Sequence, residues 1–230
     1  MSLLAVITAR GGSKRIPKKN IKDFFGKPML AYAIQAAQQS NLFDEIMVST
    51  DDEEIAETAR KFGAVVPFMR SEKTSDDYAI IYDVLDEVIT EYKKRGKVFD
   101  TLCCIFPCVP FLTGEILRDA YSKLGDNDAV LPVCKFPVPI EWALKIENGI
   151  VSVLDRKACD IRSQDLEDRY FDAGMFYICR TEKIYEHKSL CPDKTAPYII
   201  DAKLCEDIDT IEDWEEAEEK YQVYLNRINK

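Results

Sequence analysis

Leu3-Leu4-Ala5-Val6-Ile7, followed after Thr8 by Ala9-Arg10-Gly11-Gly12-Ser13-Lys14-Arg15-Ile16-Pro17-Lys18-Lys19-Asn20, decides how this chain is read. The opening apolar run has the length and composition of a buried strand. A helical pattern resumes at Pro28, a residue suited to the first turn of a helix. In the loop between them, a glycine pair lets the backbone close round a ligand and aim N–H groups at anionic oxygens. Arg10, Lys14, Arg15, Lys18 and Lys19 add five cations, in a chain whose formal net charge is −10. The ligand whose chemistry asks for this is a polyphosphate, above all a nucleoside triphosphate. The alternative is a solvated basic loop, because charge runs commonly lie on the surface.

Two familiar phosphate motifs do not fit. No G-x-x-x-x-G-K-[ST] can be read here, and the adjacent glycines break G-x-G-x-x-G. With 230 residues, the chain suits a single domain, 1–230, with a small insertion. The acidic balance argues against nucleic acid or an anionic membrane as partner. There is no N-terminal charged-then-apolar signal and no apolar run of about 20 residues, so a cytoplasmic location is expected. Eight cysteines contain no C-x-x-C pattern, and several sit in apolar strand-like runs, where cysteine behaves as a small hydrophobe. Reduced thiols follow from that reading. The lone histidine, His187, has no ligand-spaced neighbours, which argues against a histidine triad or zinc site.

Strand and helix signals alternate along the chain. Met29 to Gln39 reads as a helix, Ile46 to Ser49 as a strand, and Asp52 as the cap of a helix that stops at Gly63. Val65-Val66 is expected to begin a third strand. A polar stretch, Arg70 to Asp77, leads into a helix with apolar positions Ile81, Val84, Leu85, Val88 and Tyr92. Thr101 to Phe106 is a strand, Thr113 caps a helix reaching Leu124, and Ala129 to Cys134 is another strand. The alternation implies a mostly parallel α/β sheet with helices on both faces. Ligands of such sheets bind at the strands' carboxyl ends, beside a switch in strand order. The pattern then changes: Trp142 to Ile146, Asn148-Gly149 and Ile150 to Leu154 predict a β-hairpin, with a further strand at Ala173 to Cys179.

Near the end, Asp207 and Asp209 stand two apart on an extended segment, so their side chains share a face. Two hard oxygen donors suit Mg²⁺, which keeps several waters and binds phosphate oxygens. Alternatively Asp209, Thr210 and the acidic residues after them cap the final helix, Ile211 to Ile228.

The run Ala9-Arg10-Gly11-Gly12-Ser13-Lys14, with Ile16-Pro17 and Lys19-Asn20, resembles the nucleotide-binding signature of the acylneuraminate cytidylyltransferases. These enzymes make CMP-linked nonulosonic acids from CTP. The resemblance covers nearly the whole chain. It implies a three-layer, Rossmann-like nucleotidyltransferase sheet and a homodimer, in which an inserted element, about 137–178, exchanges between subunits and completes each sugar site. Asp207 and Asp209 match the family's metal-binding aspartates and Asn20 a nucleotide-contacting asparagine, while Arg70 matches an arginine before the polar segment. On this reading the sugar's anomeric hydroxyl attacks the α-phosphorus of CTP and pyrophosphate leaves. Arg10, Lys19 and the Gly11-Gly12 amides neutralise the growing charge, with Ala9 and Ser13 in the same nucleotide-binding loop. Either Asp207 or a metal-bound oxygen generates the alkoxide.

The chain departs from the sialic acid enzymes in its sugar-facing stretches. Where those carry Leu-Gln-Pro-Thr-Ser-Pro-Leu-Arg, this chain has Ile105-Phe106-Pro107-Cys108-Val109-Pro110-Phe111-Leu112. Phe106 and Leu112 thus replace an amide and a guanidinium. Asp172-Ala173-Gly174-Met175-Phe176-Tyr177 is similar to the pseudaminic acid members of the family, so Phe106, Leu112, Asp172 and Gly174 are the expected sugar contacts. Sialic or legionaminic acid is the alternative substrate. A 3-deoxy-manno-octulosonate enzyme is the next alternative, but that family lacks the Gly-Gly-Ser-Lys run.

Overall fold

Residues Leu3–Thr8 form β1, a strand paired on both sides, and all six are buried. An apolar run without alternation is what a strand covered on both faces requires. In the computed structural model, which describes residues 2–228, the chain continues through β2 (Asp23–Phe24) and β3 (Lys27–Pro28) to α1 (Met29–Ser40). Pro28 stands at the N-cap of α1, one residue before its first turn. There follow β4 (Glu45–Ser49), α2 (Glu53–Lys61), α3 (Ile81–Lys94), β5 (Thr101–Ile105), α4 (Gly114–Ser122) and β6 (Ala129–Lys135). An excursion of β7 (Leu144–Glu147), β8 (Ile150–Val153) and β9 (Tyr170–Asp172) precedes β10 (Phe176–Arg180), α5 (Thr181–His187), β11 (Thr195–Ile199) and α6 (Ile211–Ile228).

The main sheet is ordered β11-β6-β10-β5-β1-β4, with β9 added beside β6. β1 pairs in parallel with β4 and β5, and β6 with β11, whereas β10 runs antiparallel between β5 and β6. From β1 the chain steps to β4 on one side and then to β5 on the other. The strand-order switch therefore falls at the carboxyl end of β1, where the basic loop begins.

Alternate side chains of the strands define two apolar layers. Ala5, Ile7, Cys103 and Ile105 pack with Leu30, Ile34, Ile55 and Leu117, from α1, α2 and α4. Leu4, Val6, Leu102 and Cys104 pack with Leu85, Val88, Tyr92 and Ile184, from α3 and α5. This is the three-layer α/β arrangement expected from the sequence. A third cluster, Phe24, Tyr32, Phe111, Trp214 and Tyr221, fastens α6 to the body through edge-to-face ring contacts. All eight cysteines are free thiols, and Cys103, Cys104 and Cys179 are buried in the sheet.

The helix caps form as the sequence implies: Asp52 accepts from Ile55 N (3.0 Å) and Thr113 from Ile116 N (3.2 Å). The hairpin turns through Asn148 (φ 51°) and Gly149 (φ 76°), the left-handed pair a two-residue loop needs. One strand expectation needs correction, and one strand was not expected. Val65 makes only an isolated bridge to Met47, because Pro67 supplies no N–H with which to continue a ladder. β11 was hidden by Pro197, which an edge strand tolerates.

Candidate active site

The carboxyl ends of β1 and β5 open into a cleft of about 490 Å³, walled by the basic loop, by the segment from Arg70 to Val84, and by Phe106-Pro107. The loop is held from beneath. Ala9, fully buried, donates its N–H to Ser49 O (3.0 Å), continuing the β1–β4 pairing. Gly11 donates its N–H to Asp51 Oδ1 (2.9 Å), and a Cβ there would lie 2.8 Å from Asp52 Oδ2. Its lack of a side chain thus serves close packing on the start of α2, and its amide is already occupied. Of the glycine pair expected to face phosphate, only Gly12 lines the cleft. Ile16, 1% exposed, inserts into the aromatic cluster and anchors the middle of an otherwise charged run.

The five cations of the loop separate. Arg10 Nη1 donates to Asp76 O (2.8 Å) and pairs with Asp77 Oδ1 (3.2 Å). Lys14 also pairs with Asp77, whose carboxyl is held below its ordinary range by Lys14 first and then Arg10. Arg15 and Lys19 reach Asp209, at 2.7 and 3.3 Å, and Lys19 Nζ donates to Ile208 O (2.6 Å). Lys18 adopts a left-handed backbone and pairs with Glu54, and it is absent from the cleft wall. The sequence marked the cations but not their acidic partners. Asp76 and Asp77 were legible only as part of a polar stretch.

Arg70 is the informative residue. The sequence allowed a surface charge, yet its side chain is buried, 8% exposed, and it borders the cleft. Its guanidinium donates to Ser49 Oγ (3.0 Å) and Ser49 O (2.6 Å). Among the described residues it forms no ion pair. Burial draws its pKa down, opposed by the more distant charges of Asp51 and Glu87. Asn20 is also buried, 4% exposed, and its Nδ2 donates to Arg10 O (2.8 Å), so one end of its amide is spent on fixing the loop. Ser13 lines the same wall.

The aspartate pair lies in an irregular segment just before α6. Ile208 between them is buried in the aromatic cluster, which turns both carboxylates the other way. Helix capping is done by other groups: Asp213 Oδ2 accepts from Asp209 N (2.9 Å) and Thr210 N (2.7 Å), while Thr210 Oγ1 accepts from Asp213 N (3.2 Å). The side chains of Asp207 and Asp209 are thereby free of cap duty. Lost hydration, then the charge of Asp209, pushes the Asp207 carboxyl above its ordinary range. The Asp209 charge beside Asp207 is the kind of electrostatic load that a hard cation would relieve. No cluster of three metal-ligating side chains occurs among the described residues. The donor set therefore fits an ion that takes most of its ligands from water and phosphate, as Mg²⁺ does.

The sugar candidates divide. Phe106 lines the cleft and meets Tyr177 edge-to-face, centroids 5.7 Å apart. Tyr177 donates its hydroxyl to Asp172 Oδ2, and Gly174 N donates to Asp172 Oδ1 (2.8 Å). Asp172 and Gly174 thus sit next to the cleft wall through Tyr177, a residue sequence reasoning missed. Leu112 does not offer the apolar surface expected of it: at 5% exposed it belongs to the core beside Val109 and Leu117. The turn after β5 folds it inward, where α4 packs on α1.

A sequence family described as "Cytidylyltransferase" matches residues 4–227. The chain belongs to the cytidylyltransferase family. This nucleotidyltransferase is 40% identical over 226 residues to a pseudaminic acid cytidylyltransferase of Campylobacter jejuni, covering 97% of each chain. It is 33% identical over 218 residues to a CMP-N,N'-diacetyllegionaminic acid synthase of Legionella pneumophila, covering 93% of this chain and 94% of that one. Its fold is similar to the solved structure of a CMP:2-keto-3-deoxy-manno-octonic acid synthetase complexed with CTP. There the TM-score is 0.69 at 16% identity, over 97% of this chain and all of that one.

Proposed function

We propose that this cytidylyltransferase transfers CMP from CTP to pseudaminic acid and releases pyrophosphate. The observation that carries the reading is the 40% identity to the Campylobacter enzyme over 97% of both chains. The apolar face of Phe106 in the cleft agrees with it, since an unhydroxylated wall suits a sugar bearing deoxy, methyl and acetamido groups. Arg10, Lys19 and the Gly12 amide bind the triphosphate and hold it in line. Arg70 takes the nucleotide from the rear of the cleft. Asp172, oriented by Tyr177, binds the sugar acid near Phe106. Asp207 and Asp209 hold Mg²⁺, which when bound withdraws charge from the phosphate oxygens.

We also read the enzyme as a homodimer. The excursion leaves Leu144 (61%), Ile146 (72%) and Val151 (58%) exposed on one face of the hairpin, more contiguous apolar surface than a hairpin in water retains unless it is covered. Segment 137–178 of the same chain approaches the cleft at Asp172 and Tyr177, beside Phe106, and on this reading a second copy's excursion would supply the rest of the sugar site. CTP as co-substrate and eight free thiols support a cytoplasmic location.

The test is pyrophosphate release with CTP, Mg²⁺ and a panel of nonulosonic acids. Catalytic efficiency for pseudaminic acid is expected to exceed that for N-acetylneuraminic acid and N,N'-diacetyllegionaminic acid by about 100-fold or more, the margin that unpaired polar groups impose. Equal efficiency with any of these sugars refutes the substrate assignment.

A further inference from the structure

Asn20 is held at both ends, and the second hold comes from another element. Its Nδ2 donates to the Arg10 carbonyl at 2.8 Å, and its Oδ1 lies 3.5 Å from Cys108 Sγ. At 4% exposed, Asn20 has little access to water, so an Oδ1 without a donor would be a buried acceptor left unsatisfied. Cys108 directly follows Phe106-Pro107, which line the cleft. The turn after β5 therefore reaches the phosphate loop through two hydrogen bonds, Cys108 to Asn20 and Asn20 to Arg10. We propose that Cys108 is a positioning residue, its S–H orienting the Asn20 amide so that the main chain at Arg10 is fixed for phosphate binding.

The chemistry is specific about direction. The Arg10 carbonyl accepts only, so the Nδ2 end of Asn20 must face it, and the Oδ1 end must then face Cys108 and receive a proton. Burial pushes the Cys108 thiol up to about 12, so it stays protonated and able to donate at neutral pH. A thiolate there would face Oδ1 as a second acceptor and release the amide. The side chain also packs against the aromatic cluster, so truncation would mix packing with hydrogen bonding. Valine and serine separate the two: valine fills the volume and cannot donate, while serine donates and fills less.

The inference rests on the CTP-binding reading, and two measurements keep them apart. The first needs no nucleotide. Limited trypsin digestion of the folded protein reports how firmly the loop bearing Arg10, Lys14, Arg15, Lys18 and Lys19 is held. Cys108→Val is expected to speed cleavage within residues 10–19 about 3- to 10-fold, as loss of one neutral hydrogen bond implies, and Cys108→Ser to leave it near wild type. The second is the Kd for CTP, titrated calorimetrically with Mg²⁺ present. It should weaken by a similar factor in Cys108→Val, be restored in Cys108→Ser, and not weaken further when Cys108→Val is added to Asn20→Ala. If valine matches wild type in both measurements, or serine fails as valine does, Cys108 acts by packing alone and the proposal is overturned. A wild-type protein that does not bind CTP would sink the nucleotide reading, while digestion would still decide the role of Cys108.

Discussion

Replacing Arg70 with methionine separates a binding residue from a structural one. Arg70 is 8% exposed, and its guanidinium has two hydrogen bonds to Ser49 and no ion pair among the described residues. Hydrogen bonds to a charged group are worth about 1.5–3 kcal/mol each, which sets the gross stabilisation at roughly 3–6 kcal/mol. Against this stands the cost of keeping a guanidinium largely out of water, several kcal/mol for an ion without a counter-charge. The two nearly cancel, and methionine fills most of the arginine stem's volume without bringing a charge inside. Arg70→Met should therefore shift stability by less than about 1.5 kcal/mol, read as a change in urea midpoint at constant slope. Nucleotide binding has no such compensation. Losing one charge-assisted contact of about 1.5–3 kcal/mol should raise the Kd for CTP about 10- to 150-fold. The assay is calorimetric titration of CTP with the intact protein beside urea unfolding of both variants. A variant more than about 3 kcal/mol less stable that still binds CTP normally would refute the reasoning, because Arg70 would then serve Ser49 and the end of β4 rather than the ligand.

The aspartate pair should set the metal dependence: Asp207→Asn and Asp209→Asn are expected to lower turnover roughly 100-fold or more while the protein stays folded, and to raise the Mg²⁺ concentration needed for half-maximal pyrophosphate release. An unchanged Mg²⁺ curve in both variants would remove the metal assignment. Within the basic loop, Arg10→Ala should cost at least about ten times more in kcat/KM than Lys18→Ala, because Arg10 lines the cleft and Lys18 pairs with Glu54 away from it. Equal small losses would mean that the loop's charge acts only as a diffuse field.

Much of the fold was legible because its signals are local. β1 announces itself as an uninterrupted apolar run, and the caps at Asp52 and Thr113 are single side chains reaching their own helices. Asn148-Gly149 carries its turn chemistry in two residues. What escaped depended on distant partners. β11 is a strand only because β6 lies beside it, and the antiparallel placement of β10 between β5 and β6 has no local mark. The site divides in the same way. Arg10, Lys19 and Asp209 were readable as residue types in a motif, but the side on which each cation meets an acid was not. Leu112 shows the limit most plainly. Its alignment with an arginine placed it at the sugar, whereas the turn after β5 folds it into the core between Val109 and Leu117. Sequence position relative to a motif does not report the direction of a side chain; packing does.

The charge layout explains how an acidic protein holds a polyanion. With a net charge of −10, the surface as a whole repels a nucleoside triphosphate, so attraction must be local. Arg10, Lys14, Arg15 and Lys19 supply it, yet each is matched to a carboxylate, Asp77 or Asp209, contributed by a different segment. Both acids are partly exposed, and ion pairs of this kind contribute little to stability because water and salt screen them. Exchanging such a partner for a phosphate oxygen, more highly charged and bound by several donors at once, costs the fold little. The buried elements are arranged differently: Arg70 and Asn20 are hydrogen-bonded to main chain, and among the described residues neither is tied to an acid side chain by an ion pair. The cleft thus combines a buried, hydrogen-bonded frame with cations held on exposed carboxylates; on the proposed function the frame would set where the nucleotide lies and the carboxylates would yield to it. Asp209 receives both Arg15 and Lys19, so under the proposed metal assignment an ion held by Asp207 and Asp209 would compete with those two cations for the same carboxylate.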